Sequence, residues 1–137
     1  MRTSRIYIPQ YSWNVTAFFD VSAEDEDEIV KELQFIRCPG TTVERVEGNL
    51  RRGRLDTGFT YSNRLMRESV MVVGRASSPR EFLNSYVHEL RHLVDDIAVT
   101  SFIPMRGEGV GYLCGELSWE WWEDIRHFLG TCRCHRE

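Results

Sequence analysis

The chain has no long hydrophobic run. No stretch of about eighteen consecutive apolar residues occurs in its 137 residues, so we expect no membrane-spanning helix. The first five residues include two arginines, but no apolar core of a signal peptide follows them. From these two absences we predict a cytoplasmic protein.

An excess of positive charge is also missing. The chain carries 17 Lys and Arg against 21 Asp and Glu, which gives a net charge of −4. This balance argues against a dedicated nucleic-acid-binding protein. The only arginine cluster, Arg51, Arg52 and Arg54, lies in a turn-like stretch and is interpreted as solvated rather than as an anion site.

Cysteine is scarce and unevenly placed, at Cys38, Cys114, Cys132 and Cys134. Without a secretion signal, this pattern predicts reduced thiols rather than a disulfide framework. The tail Cys132-Arg133-Cys134-His135 has no second pair of ligands, so we predict incidental thiols near the chain end and not a structural zinc site.

The most informative motif is His88-Glu89-Leu90-Arg91-His92, which has the form HExxH. On a helix, His88 and His92 project from the same face and can bind one Zn²⁺ ion at about 2.0–2.1 Å each. Glu89 follows the first ligand, where its carboxylate can act on a zinc-activated water as a general base. The motif therefore predicts metal-assisted hydrolysis.

The surrounding sequence predicts that this motif is helical. Ser78 has the position of an N-cap, with Pro79 at the first helical position and Glu81 two residues later. Apolar residues then recur at helical spacing, which predicts a helix over about residues 79–99 with both histidines on its more polar face.

The rest of the chain predicts one domain, residues 1–137, with short strands and helices alternating. Strands are expected at residues 5–8, 13–21, 56–63 and 67–74. Helices are expected in the acidic segment after Ser22, at residues 42–50, and from 108 to 129.

A catalytic zinc site usually has a third protein ligand. Asp95 and Asp96 lie on the same helix, one turn past His92, and are better placed to support a histidine from outside the site. Glu108 and Glu116 belong to the next predicted helix, about 80° apart around its axis, so we expect only one of them to face the metal. The candidates after His92 are Asp95, Asp96, Glu108, Cys114, Glu116 and His127.

With this second helix, the sequence resembles the gluzincin metallopeptidases, and more narrowly the small zinc peptidases of phages and prophages. Their second motif, E-x-x-A-Y-L, corresponds here to Glu108-Gly109-Val110-Gly111-Tyr112-Leu113, with Gly111 where alanine is usual. The strand region before HExxH is also similar, and the resemblance covers most of residues 55–118. It implies that Glu108 is the third ligand, with Glu116 as the alternative, and that the protein acts in a bacterium or a phage-infected host.

The resemblance also implies a zincin-like α+β fold. A small mixed or antiparallel sheet would pack on the HExxH helix, with the glutamate helix behind it. A peptide or protein substrate would add as a strand along residues 67–74 or 56–63.

The function predicted is a small zinc-dependent metallopeptidase with Glu89 as general base. Two other classes remain open: a catalytically idle zinc-binding regulator or interaction module, and an interaction protein without metal in which the motif occurs by chance.

Overall fold

The strands form one mixed sheet. The computed structural model describes residues 1–130. The sheet has the order β1-β2-β4-β3, in which β2 and β4 are parallel and the two outer pairs are antiparallel. The strands are β1 (Arg2–Ile8), β2 (Trp13–Val21), β3 (Gly58–Asn63) and β4 (Glu68–Gly74).

Helices cover both faces of this sheet. They are α1 (Glu26–Phe35), α2 (Gly40–Arg51), α3 (Pro79–Thr100), α4 (Glu108–Glu120) and α5 (Trp122–Ile125). The prediction of a mixed α+β protein with a small sheet is confirmed, and the four predicted strands are present, β2 with the predicted bounds and the other three with shifted ends.

Side-chain alternation along the central strands separates two cores. In β4, Met71 and Val73 face α3, α4 and α5, whereas Val70 and Val72 face α1 and α2. Because β4 is covered on both faces, it is a run of buried apolar residues rather than an alternating sequence.

Helix α3 begins as the sequence predicts. The Ser78 hydroxyl accepts a hydrogen bond of 3.2 Å from the Glu81 amide, and Pro79 is the first helical residue. The helix buries an apolar stripe against β3 and β4, and this stripe includes Phe82, Leu90 and Leu93. The predicted helix over residues 79–99 is therefore confirmed.

The last predicted helix is interrupted. We expected one helix from 108 to 129, but α4 ends at Glu120 and α5 covers only Trp122–Ile125. At the break, the Trp121 indole is fully buried in edge contact with Phe19, at 5.8 Å between ring centroids, and its N–H donates to the Ser4 hydroxyl. The backbone of Trp121 has φ of −90° and ψ of 4°, so the helical path is interrupted at the residue whose ring packs into the core.

The topology also corrects one substrate-binding expectation. β4 lies between β2 and β3 and is hydrogen-bonded on both sides, so residues 67–74 cannot accept an added strand. Of the two segments considered, only β3 has a free edge.

No helix in residues 1–130 is both long enough and apolar enough to cross a membrane.

Cys38 is buried and Cys114 half-buried, and both are free thiols. Cys132 and Cys134, which were predicted to be incidental thiols, lie outside the described residues.

Candidate metal centre

His88 and His92 form a close pair on the exposed face of α3. Their Nε2 atoms lie 3.2 Å apart, and the ring planes are inclined by 70°. Two nitrogens that each bind one tetrahedral Zn²⁺ at 2.0–2.1 Å lie about 3.3–3.4 Å apart. The 3.2 Å separation is a hydrogen-bond distance between the two rings, and with both rings exposed it also lies close to the spacing that a shared metal ion requires.

Glu89 faces a different side of the helix. It is only 2% exposed, and both of its carboxylate oxygens are held by threonine hydroxyls. Thr57 Oγ1 donates to Oε2 over 2.7 Å, and Thr60 Oγ1 donates to Oε1 over 2.9 Å. The carboxylate is thus fixed between α3 and the edge strand β3.

Close packing of the Gly58 backbone against β4 positions Thr57. Gly58 has φ of 135°, and a Cβ on it would lie 1.9 Å from the carbonyl oxygen of Val72. Only glycine lets the start of β3 approach β4 this closely. The contact positions Thr57, whose carbonyl accepts from the Gly74 amide, against the motif helix.

The sequence did not predict that Thr57 and Thr60 contact Glu89. A signal for Thr60 was available in the alternation of β3, since Phe59 and Tyr61 pack into the core under α1 and α2. Thr60 and Ser62 therefore face α3, where they contact Glu89 and Asp96 respectively.

The two aspartates that follow the motif are engaged elsewhere. Asp95 accepts from Arg91 Nε over 2.7 Å. Asp96 accepts from the Ser62 hydroxyl over 2.6 Å and pairs with Arg64 at 3.3 Å. Within residues 1–130, neither carboxylate hydrogen-bonds to a histidine of the pair.

Within residues 1–130, Glu89 has no cationic partner. None of the ion pairs found in the described part of the chain includes it. A buried carboxylate usually lies beside a counter-charge, because moving the charge out of water is costly. Among the described side chains, two neutral hydroxyls are the hydrogen-bond partners of this carboxylate.

The third ligand is not assembled with the histidines. Glu108 is exposed at the first position of α4, directly after Gly107, which has φ of 94°. Two hydrogen bonds join the loop before it to the motif helix: the Ile103 amide donates to the Ala98 carbonyl over 2.8 Å, and Arg91 Nη2 donates to the Met105 carbonyl over 3.5 Å. Among residues 1–130, no three His, Cys, Asp or Glu side chains are grouped so that they could hold a metal.

The other third-ligand candidates on α4 occupy different surroundings. Glu116 lines a groove between α4 and β1. Cys114 packs partly into the core, and burial raises the pKa of its thiol. Of the candidates on this helix, Glu108 alone lies next to the loop that contacts Arg91.

Tyr86 fastens α4 to the motif helix. Its hydroxyl and that of Ser118 lie 2.9 Å apart in a hydrogen bond. Burial raises the pKa of Tyr86 to about 12, although the bond to Ser118 acts in the opposite direction. The phenol is therefore neutral throughout the physiological pH range.

Comparison of the chain with protein-family models, with curated proteins and with solved structures gave no match.

Proposed function

We propose that the chain is a small zinc-dependent peptidase whose metal is held by His88, His92 and Glu108. The observation that carries this proposal is the 3.2 Å separation of the two Nε2 atoms on an exposed helical face. Neutral imidazoles are frequent zinc ligands, and two of them one helical turn apart leave positions on the ion for a carboxylate and a substrate.

The environment of Glu89 supports the same proposal. Its carboxylate is buried with no counter-charge from residues 1–130, and Glu89 directly follows the proposed ligand His88 in the sequence. A dication bound at the neighbouring histidines would lower the cost of keeping this charge.

Glu108 completes the ligand set in this proposal. Its side chain is exposed, so changing its rotamer costs little packing energy. The loop before it already contacts Arg91 on the motif helix. A rotation of Glu108 toward the histidines, once the ion is present, would bring the third ligand from a separate helix.

The chemistry of the site follows from its residues. When bound, zinc would supply Lewis acidity toward a peptide carbonyl. Each oxygen of Glu89 accepts one threonine hydrogen bond and keeps a second lone pair. That lone pair can accept a proton from a water molecule, and Thr57 and Thr60 hold the carboxylate in one orientation while it does so.

Strand β3 is the proposed support for the substrate. It is an edge strand, and the threonines that hold Glu89 lie on it or directly before it. An extended peptide added along this edge would therefore run beside the proposed base.

A catalytically idle zinc-binding regulator is the second candidate. The observation that favours it is the engagement of both Glu89 oxygens, which gives the carboxylate a structural task between α3 and β3. In that case zinc would stabilise the site, but no bond would be cleaved.

The test combines metal analysis with peptide digestion. The purified wild-type protein should bind about one zinc ion per chain and cleave members of a peptide library. Glu89→Gln should keep the metal and lose about 10²–10⁴-fold in turnover, the usual contribution of a general base. Glu44→Gln, at an exposed position on α2, is the matched control and should retain full activity.

The outcomes separate the candidates. Bound zinc without cleavage would identify the regulator. A protein that binds no zinc would exclude both functions. Full cleavage by Glu89→Gln would show that the base is a different group.

A further inference from the structure

A second surface feature lies at the opposite edge of the sheet from β3. It is a groove of about 810 Å³ between β1 with its following turn and one face of α4. We name it the β1–α4 groove; its walls are residues 6–10 and part of residues 111–120. The proposed peptidase site does not use it, since β1 and β3 are the two outer strands.

The β1–α4 groove exposes large aromatic side chains. Tyr112 is 66% exposed and Trp119 83%, and the two lie seven residues apart on the same face of α4. Single exposed apolar residues are common on protein surfaces, but several along one groove are typical of a binding surface. Trp and Tyr are also the residues that most often contribute large binding energies in interfaces.

The charge of the groove has one sign. Glu116 and Glu120 line it, and no Lys, Arg or His among residues 1–130 does. Neither glutamate takes part in an ion pair within the described residues. The arginines of β1, Arg2 and Arg5, are paired with Asp124 and Glu32 instead. A ligand that complements the groove therefore carries apolar and basic groups.

The free edge of β1 determines the form of this ligand. In the described part of the chain β1 pairs only with β2, so its outer edge presents backbone donors and acceptors there. Ile6 and Ile8, two residues apart on β1, both face the side of the sheet that α4 covers. An extended segment added beside β1 would direct every second side chain into the same space.

We propose that the β1–α4 groove binds an extended, basic and apolar segment of a partner protein, which adds to the sheet as a fifth strand against β1. Alternate apolar side chains of the segment would contact Trp119 and Tyr112, and its basic side chains would pair with Glu116 and Glu120.

Two glycines widen the α4 wall of the groove. Gly111 and Gly115 are one helical turn apart, and a Cβ added to either meets no atom within 4 Å. Glycine inside a helix is less favourable than alanine by about 1 kcal/mol, so packing does not explain these residues. A larger side chain at Gly115 would narrow the groove without disturbing the fold.

The experiment uses the full-length protein and a fluorescein-labelled peptide of 7 residues, the length of β1. Valine and arginine alternate at its even positions and threonine fills the odd ones. Fluorescence anisotropy should show saturable binding. Trp119→Ala, Gly115→Leu and the double variant Glu116→Lys/Glu120→Lys should each weaken binding about tenfold or more, without lowering the melting temperature.

Two control variants and one control peptide accompany this measurement. Phe102→Ala removes an aromatic side chain that is 94% exposed outside the groove, and Glu44→Lys reverses a charge on α2. Both should bind the peptide as the wild type does. A peptide with glutamate in place of arginine should bind at least about tenfold more weakly.

Several results would overturn the proposal. These are a Kd weaker than about 1 mM for the arginine peptide, equal binding of the glutamate peptide, or binding that Trp119→Ala leaves unchanged. A concentration-dependent dimer that Trp119→Ala dissociates would show that a second copy of the chain occupies the groove. Because none of these variants alters the histidine pair, failure here leaves the zinc proposal intact.

Discussion

Thr57 on the segment entering β3 donates a 2.7 Å hydrogen bond to the carboxylate of Glu89, which is 32 residues away on α3. The bond joins the edge strand to the HExxH helix at the proposed base. Thr60 repeats the connection three residues later through the other oxygen. The proposed catalytic carboxylate is therefore part of the contact that holds the helix on the sheet.

Removing these hydroxyls should destabilise the metal-free protein. In Thr57→Val or Thr60→Val, a buried carboxylate oxygen loses its donor while the side-chain volume stays nearly the same. We expect each variant to lower the free energy of unfolding by about 1–3 kcal/mol. Urea denaturation monitored by circular dichroism measures this change.

Thr100→Val is the control for this pair, because its hydroxyl bonds only to the Asp96 carbonyl one turn earlier in the same helix. Its effect should stay below about 1 kcal/mol. Equal stability of Thr57→Val and wild type would contradict the structural role assigned to the contact.

Zinc binding should depend on both motif histidines. His88→Ala and His92→Ala each remove one of two ligands held 3.2 Å apart. We expect each to weaken zinc affinity by more than the roughly 10–100-fold that outer partners of metal ligands contribute. Competition against a chromophoric chelator gives the affinities, and His127→Ala, also an exposed histidine, should bind zinc normally.

The two glutamates of α4 should differ in their effect on the metal. Glu108→Ala should reduce zinc affinity strongly, since it removes the proposed third ligand. Glu116→Ala should leave the affinity unchanged, because Glu116 lines the β1–α4 groove. The same chelator assay compares them, and a larger loss in Glu116→Ala would refute the choice of Glu108.

The raised pKa of Tyr86 predicts that the folded protein loses stability in alkaline solution. The pKa of its phenol is raised from about 10 in the unfolded chain to about 12 in the folded protein. The contribution of this pKa shift to the free energy of unfolding is fully present below about pH 10. It is lost as the pH rises toward 12, because the unfolded chain releases the phenol proton at a lower pH than the folded protein does.

Urea denaturation between pH 8 and pH 11.5 tests this expectation, with the pH limits chosen around the pKa values of about 10 and about 12. Tyr86→Phe should lose less stability than wild type over that interval. Below it, the variant should be about 0.5–1.5 kcal/mol less stable, because the bond to Ser118 is missing. Parallel alkaline curves for the two proteins would show that Tyr86 does not titrate as described.

Much of the local structure could be predicted from the sequence. Ser78, Pro79 and the apolar spacing behind them predicted α3 within a residue at its end. The strand β2 was predicted with its observed bounds. These features depend on neighbours in the sequence, namely cap hydrogen bonds and side-chain periodicity, which act over a few residues.

Pairing between distant segments was harder to predict. The sequence predicted strands at residues 56–63 and 67–74, but it did not predict that β2 pairs with β4. That parallel pairing makes β4 central and leaves β3 and β1 as the edges. The break at Trp121 has a similar origin, because it depends on the position of Phe19 under α4 and α5.

The sequence by itself determined that His88 and His92 share a helical face, because residues four apart on an α-helix always do. Only the tertiary structure decided that Glu89 is buried against Thr57 and Thr60, and that Glu108 and Glu116 lie in different surroundings. The physical reason is the distance along the chain: helical periodicity is a local property, whereas the contacts of Glu89 depend on how strands 30 residues away pack against the helix.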